Sequence, residues 1–164
     1  MVITNHQQMQ RTIDELRHIV SEYAVKIASI PDQEFSAKPL PHKWSKKEVL
    51  GHLIDSAQNN LRRFVCGQYE SAPPKITYDQ DFWVNANDYQ SQSQKNVIAL
   101  WQLINTQIAT ILSTMPASNY TLHCDTGKQT PQLRTLEWLA EDYVKHLKHH
   151  LNQVIAGSFN IQYP

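Results

Sequence analysis

The sequence predicts an all-α protein: a four-helix bundle with long connections and a short β-hairpin before the last helix. Three observations carry this. Four segments of roughly twenty residues repeat apolar side chains at three- and four-residue steps, the period of an amphipathic helix. Only 4 glycines occur among 164 residues, too few for a fold rich in tight turns. Prolines 31, 39, 41, 73, 74 and 116 fall between the periodic segments, where they break no helix. A chain of 164 residues fits one domain over residues 1–164, large enough to bury its own core.

The first helix is marked by Ile13, Leu16, Val20, Tyr23, Ala24 and Ile27, and the Pro31 region ends it. A linker with Pro39 and Pro41 follows. The second helix has a defined start, because Ser45 and Glu48 form a Ser-x-x-Glu capping box with Trp44 before it as a staple. Val49, Leu50, Leu53, Ile54, Ala57, Leu61, Phe64 and Val65 supply its buried face, and Gly67 is the expected stop.

Residues 68–88 read as a long crossing loop packed down by Tyr78, Phe82, Trp83 and Tyr89. The third helix carries Val97, Trp101, Ile104, Ile108, Ile111 and Met115, near a heptad stripe, and Pro116 terminates it. Asp125-Thr126-Gly127 is a tight-turn sequence, and Tyr120-Thr121-Leu122 beside it is the expected hairpin strand. Thr135 caps a fourth helix that runs through Leu136, Leu139, Val144, Leu147, Leu151 and Ile155 to Gly157.

Composition excludes several classes. Lys+Arg and Asp+Glu each total 15, so no basic surface is available for nucleic acid or an anionic membrane. No run approaches about 18 apolar residues, so no membrane span is expected. The N-terminus lacks the pattern of a signal peptide, and the 2 cysteines, Cys66 and Cys124, build no disulfide framework. A cytoplasmic location is the expectation.

The chemistry points to histidine. His146 and His150 stand four residues apart, so in a helix their rings stack on one face. His52 lies in the second helix. Three imidazoles meeting inside a bundle make a metal site with a coordination position left open. Ser56, Asn59 and Arg63 fall within about 40° of His52 around the helix, and Asp55 lies about 60° to one side. Two readings of that stripe stand at this point: a solvated face, or one wall of a site. The histidine pair likewise reads as a ligand pair or as an interfacial pair that binds nothing. His149 points about 60° away from His146, and His6, His18, His42 and His123 have no partner at ligand spacing. The chain contains no His-Glu-x-x-His and no pair of Glu-x-x-His motifs (Glu15 to His18 stands alone), which disfavours a zincin protease and a ferritin-like di-iron site.

Trp44-Ser45, the run Glu48 to Ser56 (EVLGHLIDS), Asn59, Arg63, and His146-Leu147-Lys148-His149-His150 with Gln153 together resemble the DinB/YfiT-like superfamily over essentially the whole chain. The resemblance implies an up-down-down-up bundle and a divalent metal, most often Zn or Ni, held by His52, His146 and His150. It implies a small-molecule substrate, with a low-molecular-weight thiol for some members, and a homodimer. Activities in such a family range from thiol-dependent transfer to hydrolysis, and the resemblance tips the expectation towards thiol transfer. Asp55, Asn59 and Arg63 are candidates for orienting ligands or substrate, and Asp142 for a partner to His146. The alternative is a non-catalytic metal-binding or stress-related dimeric bundle. A panel of thiol and ester substrates separates the two.

Overall fold

A computed structural model describes residues 4–163. Four long helices form the frame: α1 (Asn5–Ala28), α3 (Lys46–Tyr69), α5 (Gln94–Thr114) and α6 (Leu136–Val154). Two short helices lie between them, α2 (Asp32–Ser36) and α4 (Gln80–Asn87), and two strands, β1 (His123–Asp125) and β2 (Leu133–Thr135), precede α6. The capping box at Ser45 is present: Ser45 Oγ accepts from the Glu48 amide, and Glu48 Oε2 accepts from the Ser45 amide at 2.8 Å. Thr135 caps α6 by accepting from the Trp138 amide.

Side-chain contacts fix the helix directions. At the start of α5, Gln94 donates to the carbonyls of Ile27 and Ile30 at the end of α1 (3.0 and 2.9 Å), while Arg17 donates to Ser113 at 2.7 Å. These two helices are therefore antiparallel. Lys47, early in α3, donates to Gln92 O just before α5, and Asn119, after α5, donates to Gln68 near the end of α3. Those two run parallel. On α6, Leu136 meets Gly67 and the distant His146 meets His52, so α6 is antiparallel to α3. The order is up-down-down-up, as expected. Each of α1 and α3 packs on both α5 and α6.

Several local readings change: the linker after Pro31 opens with the short helix α2, and the first hairpin strand is His123–Asp125 rather than Tyr120-Thr121-Leu122. The crossing segment is not all loop, because Asp79 accepts from the Phe82 amide and starts α4. Gly67 does not end its helix. It lies inside α3, where the space of its missing side chain is filled by Leu136 and Cys124. The last helix stops at Val154, short of Gly157, whose φ of 74° places it in a turn beyond. The hairpin pairs Cys124 with Arg134, leaving Tyr120 buried before it. Asp125 holds the turn by accepting from the Gly127 and Gln132 amides at 2.9 and 2.8 Å.

Fully buried side chains such as Trp101, Leu50, Leu53, Leu16 and Leu147 form one continuous core. By length and composition α5 is apolar enough to cross a membrane, yet it packs within the bundle. Its Val97, Trp101, Ile108 and Leu112 are buried there, and Asn105 accepts from the Tyr143 hydroxyl. Because α3 and α6 are antiparallel, an early residue of α3 and late residues of α6 lie at one end of the bundle. That end carries the histidines.

Candidate metal centre

The packing of α3 on α6 brings His52, His146 and His150 together. One ligand-capable nitrogen from each lies within 4.8 Å of the others. Their ring centroids stand 5.2 Å (His52–His146), 4.6 Å (His52–His150) and 4.5 Å (His146–His150) apart, all edge to face. His52 Nε2 is 3.2 Å from His146 Nε2. Two nitrogens bound to one tetrahedral ion at about 2.0–2.1 Å stand about 3.4 Å apart, so the donor set fits a divalent ion. Among the described residues no carboxylate or thiol joins the three.

Burial sets the charge state. It depresses His52 to about 3, with His150 adding repulsion. His146 is driven well below the ordinary histidine range by burial, then by its histidine neighbours. His150 is lowered by burial, which the Gln153 hydrogen bond partly opposes. Three neutral imidazoles at pH 7 are what a cation requires of its ligands. Two of the rings are also oriented from behind. His150 Nδ1 is 3.2 Å from Gln153 Oε1, and His146 Nδ1 is 3.4 Å from Ser56 Oγ. Each contact turns Nε2 away from its own partner. His52 Nδ1 is buried with no partner.

The polar stripe of α3 is not a solvated face. His52, Asp55, Ser56 and Asn59 are 1%, 0%, 3% and 1% exposed. Asp55 Oδ1 accepts from the Tyr89 hydroxyl at 2.7 Å and from Asn87 Nδ2 at 2.9 Å, while its Oδ2 is buried without a partner. Burial raises the Asp55 carboxyl to about 6, and the two hydrogen bonds hold it back from rising further. Asn59 donates to the Asp55 carbonyl. Arg63 donates to the Ile76 carbonyl through Nε and Nη2 and to Asn60 through Nη1, so it anchors the crossing segment. Asp142 makes no hydrogen bond to His146 and instead accepts from the Tyr163 hydroxyl. His149 lies beside His150 and Tyr163, outside the group of three.

A cleft of about 750 Å³ reaches the cluster at His150. Trp44, Val49 and Pro39 give it an apolar wall, Lys43 and His42 stand on the same loop, and Asp81 of α4 is also part of its lining. Trp44 lies 5.1 Å from His52, ring to ring. The sequence offered Trp44 only as a helix staple, and Tyr89 and Tyr163 were no site candidates. The one local signal for Tyr89 was Gly51, a glycine inside a strong helical run. A Cβ there would fall 2.1 Å from the Tyr89 ring.

Known proteins share this fold. The B. subtilis (strain 168) protein YfiT, by name a candidate metal-dependent hydrolase, is 23% identical over 151 residues, spanning 90% of this chain and 83% of its own. A protein of Bacillus pumilus (strain SAFR-032) with the same description is 23% identical over 150 residues. The solved YfiT structure, described as an unusual four-helix bundle, superposes with a TM-score of 0.79 and covers 93% of this chain and 86% of that one. The mycothiol-dependent maleylpyruvate isomerase superposes with a TM-score of 0.75 at 9% identity, and the match covers 91% of this chain and 61% of the isomerase. A family model for the DinB superfamily matches residues 8–154. With that match over most of its length, the chain belongs to the DinB superfamily.

Proposed function

We propose that the protein is a metal-dependent enzyme acting on a small molecule, with His52, His146 and His150 as the ligands of one divalent ion. Zinc and nickel are the ions we expect. The observation that carries this reading is the convergence of three neutral imidazoles, His52 buried and His146 and His150 half-buried, beside a cleft. When bound there, a divalent ion lowers the pKa of a water or thiol and polarises a substrate carbonyl. The chain's own residues supply the rest. Gln153 and Ser56 orient two of the imidazoles. Trp44 shields His52 and offers a substrate an apolar face. Asp55 lies one helical turn beyond His52, buried and held by Tyr89 and Asn87. We assign it to steadying α3 around that ligand. Asn59 and Arg63 support this wall from behind.

The hydrolytic form of the reaction is favoured by the names of the 23% identical relatives. The thiol-transfer form is favoured by the mycothiol-dependent enzyme that shares the fold. Both use the same three ligands and the same cleft. A panel of esters and of thiol-plus-electrophile pairs, run with zinc, nickel or no metal, tests the proposal. Metal-dependent turnover of either class supports it and chooses between the forms. Binding of metal without turnover of any substrate favours the non-catalytic alternative. We also propose a cytoplasmic homodimer. Both cysteines are free, as a reducing compartment leaves them, and closed two-fold pairs are the commonest oligomers.

A further inference from the structure

The segment after α6 turns back along the bundle and brings Tyr163 against His146 and His149. Its path is pinned at two points. At the first, the Phe159 amide donates to Asn152 Oδ1 at 2.8 Å, Asn152 Nδ2 donates to the Phe159 carbonyl at 2.9 Å, and the Phe159 ring stacks on Tyr23 with centroids 5.0 Å apart. At the second, the half-buried Tyr163 donates its hydroxyl to the Asp142 carboxylate, 3.2 Å from Oδ2 and 3.3 Å from Oδ1. The Tyr163 ring then lies 5.6 Å from His146, edge to face, and 5.6 Å from His149.

We propose that Tyr163 is a positioning residue for His146. The geometry is that of a clamp. Asp142 precedes His146 by one helical turn, so both project from the same side of α6. Tyr163 spans them, its hydroxyl on the carboxylate and its ring against the imidazole. The hydroxyl is shared between both carboxylate oxygens at 3.2 and 3.3 Å, a contact longer than an ordinary O–H···O bond but made in a half-buried setting. It fixes the ring, and the ring restricts His146 on the flank that the cleft does not reach, since neither Tyr163 nor His146 lines the cleft. His146 is then held between Tyr163, Ser56 Oγ and His52 Nε2, with little freedom to rotate its nitrogen out of the cluster. Asp142 acts on the site through this tyrosine, without touching the imidazole. The inference rests on the reading of the cluster as a metal site, and its test is built to separate the two.

The test uses Co²⁺ as the probe on the full chain, with Tyr163→Ala, which removes hydroxyl and ring, and Tyr163→Phe, which keeps the ring. Affinity is measured by competition with a chromophoric chelator, and ligand geometry by the visible absorption of the bound cobalt. Tyr163→Ala is expected to weaken Co²⁺ binding about 10-fold or more and to alter the absorption band, the usual size of effect for a group that orients a ligand. Tyr163→Phe is expected to recover most of that loss. The unfolding temperature of the metal-free variants should match the parent. A second arm follows the His146 ring nitrogens by NMR in metal-free protein: one tautomer in the parent, averaging in Tyr163→Ala. Unchanged affinity and spectrum in Tyr163→Ala overturn the proposal. So does an affinity loss that tracks a fall in unfolding temperature, since Tyr163 would then be holding the fold. If the parent forms no one-to-one cobalt complex, the metal reading fails, and the NMR arm alone decides the role of Tyr163.

Discussion

At the residue scale, burial decides what each group can do. The folded His52 resists protonation down to about pH 3, whereas an unfolded chain protonates it near 6.5. His146 and His150 are shifted in the same direction by the same cause. Between those values the unfolded state binds more protons, so acid favours unfolding. The metal-free protein should therefore hold full stability above about pH 6.5 and lose it progressively as pH falls below that. Asp55 works with the opposite sign. Its folded carboxyl titrates near 6, above an unfolded value near 3.8, so acid between those values relieves a penalty. Asp55→Asn removes this relief, and its stability should fall more steeply than the parent's between pH 6 and 4. Urea unfolding followed across pH 4 to 8 checks both slopes. Cys124 gives a simpler case. Burial pushes its thiol up to about 11, so alkylation by iodoacetamide at pH 7.5 should be slow there and faster at the half-buried Cys66. Equal labelling of both, read by mass spectrometry, would contradict the buried placement.

At the scale of elements, the site depends on how tightly the segment around Tyr89 closes on α3. The Tyr89 ring occupies the space where residue 51 would carry a side chain, and Tyr89 is itself buried with no room to retreat. Gly51→Ala should cost about 1–3 kcal/mol through overpacking. It should also disturb the Tyr89–Asp55 hydrogen bond. Tyr89→Phe keeps the packing and should cost less, which thermal unfolding of both variants will show. Local signals made much of this scale legible. Ser45 with Glu48, Thr135, and Pro116 mark helix ends through contacts within four residues, and the structure carries those boundaries. The missed helices, α2 and α4, span five and eight residues with only Phe35 and Val84 buried, too short for a repeating apolar face to register. Gly67 misled because a glycine that makes room for a neighbouring helix looks the same in sequence as one that ends its own.

At the scale of the whole molecule, the up-down-down-up order puts an early α3 residue beside late α6 residues. The four-residue spacing of His146 and His150 was readable from the chain. Their meeting with His52, 94 residues before His146, was not. Periodicity shows which face of a helix is buried and leaves open which helix it faces, so that pairing came from family resemblance. Trp44, Tyr89 and Tyr163 join the site for the same topological reason. For the assembled molecule we expect a dimer, and light scattering that returned the 19.0 kDa mass of one chain at working concentration would reject it. The central claim is that these three histidines hold one ion on a fold that stands without it. Calorimetric titration of zinc into metal-free protein, for the parent and for His52→Ala, His146→Ala and His150→Ala, tests that most directly. The parent should take up one ion per chain, and each variant should stay helical, melt only moderately lower and bind none at this site. Variants that bind zinc with the parent's stoichiometry and affinity would contradict the account.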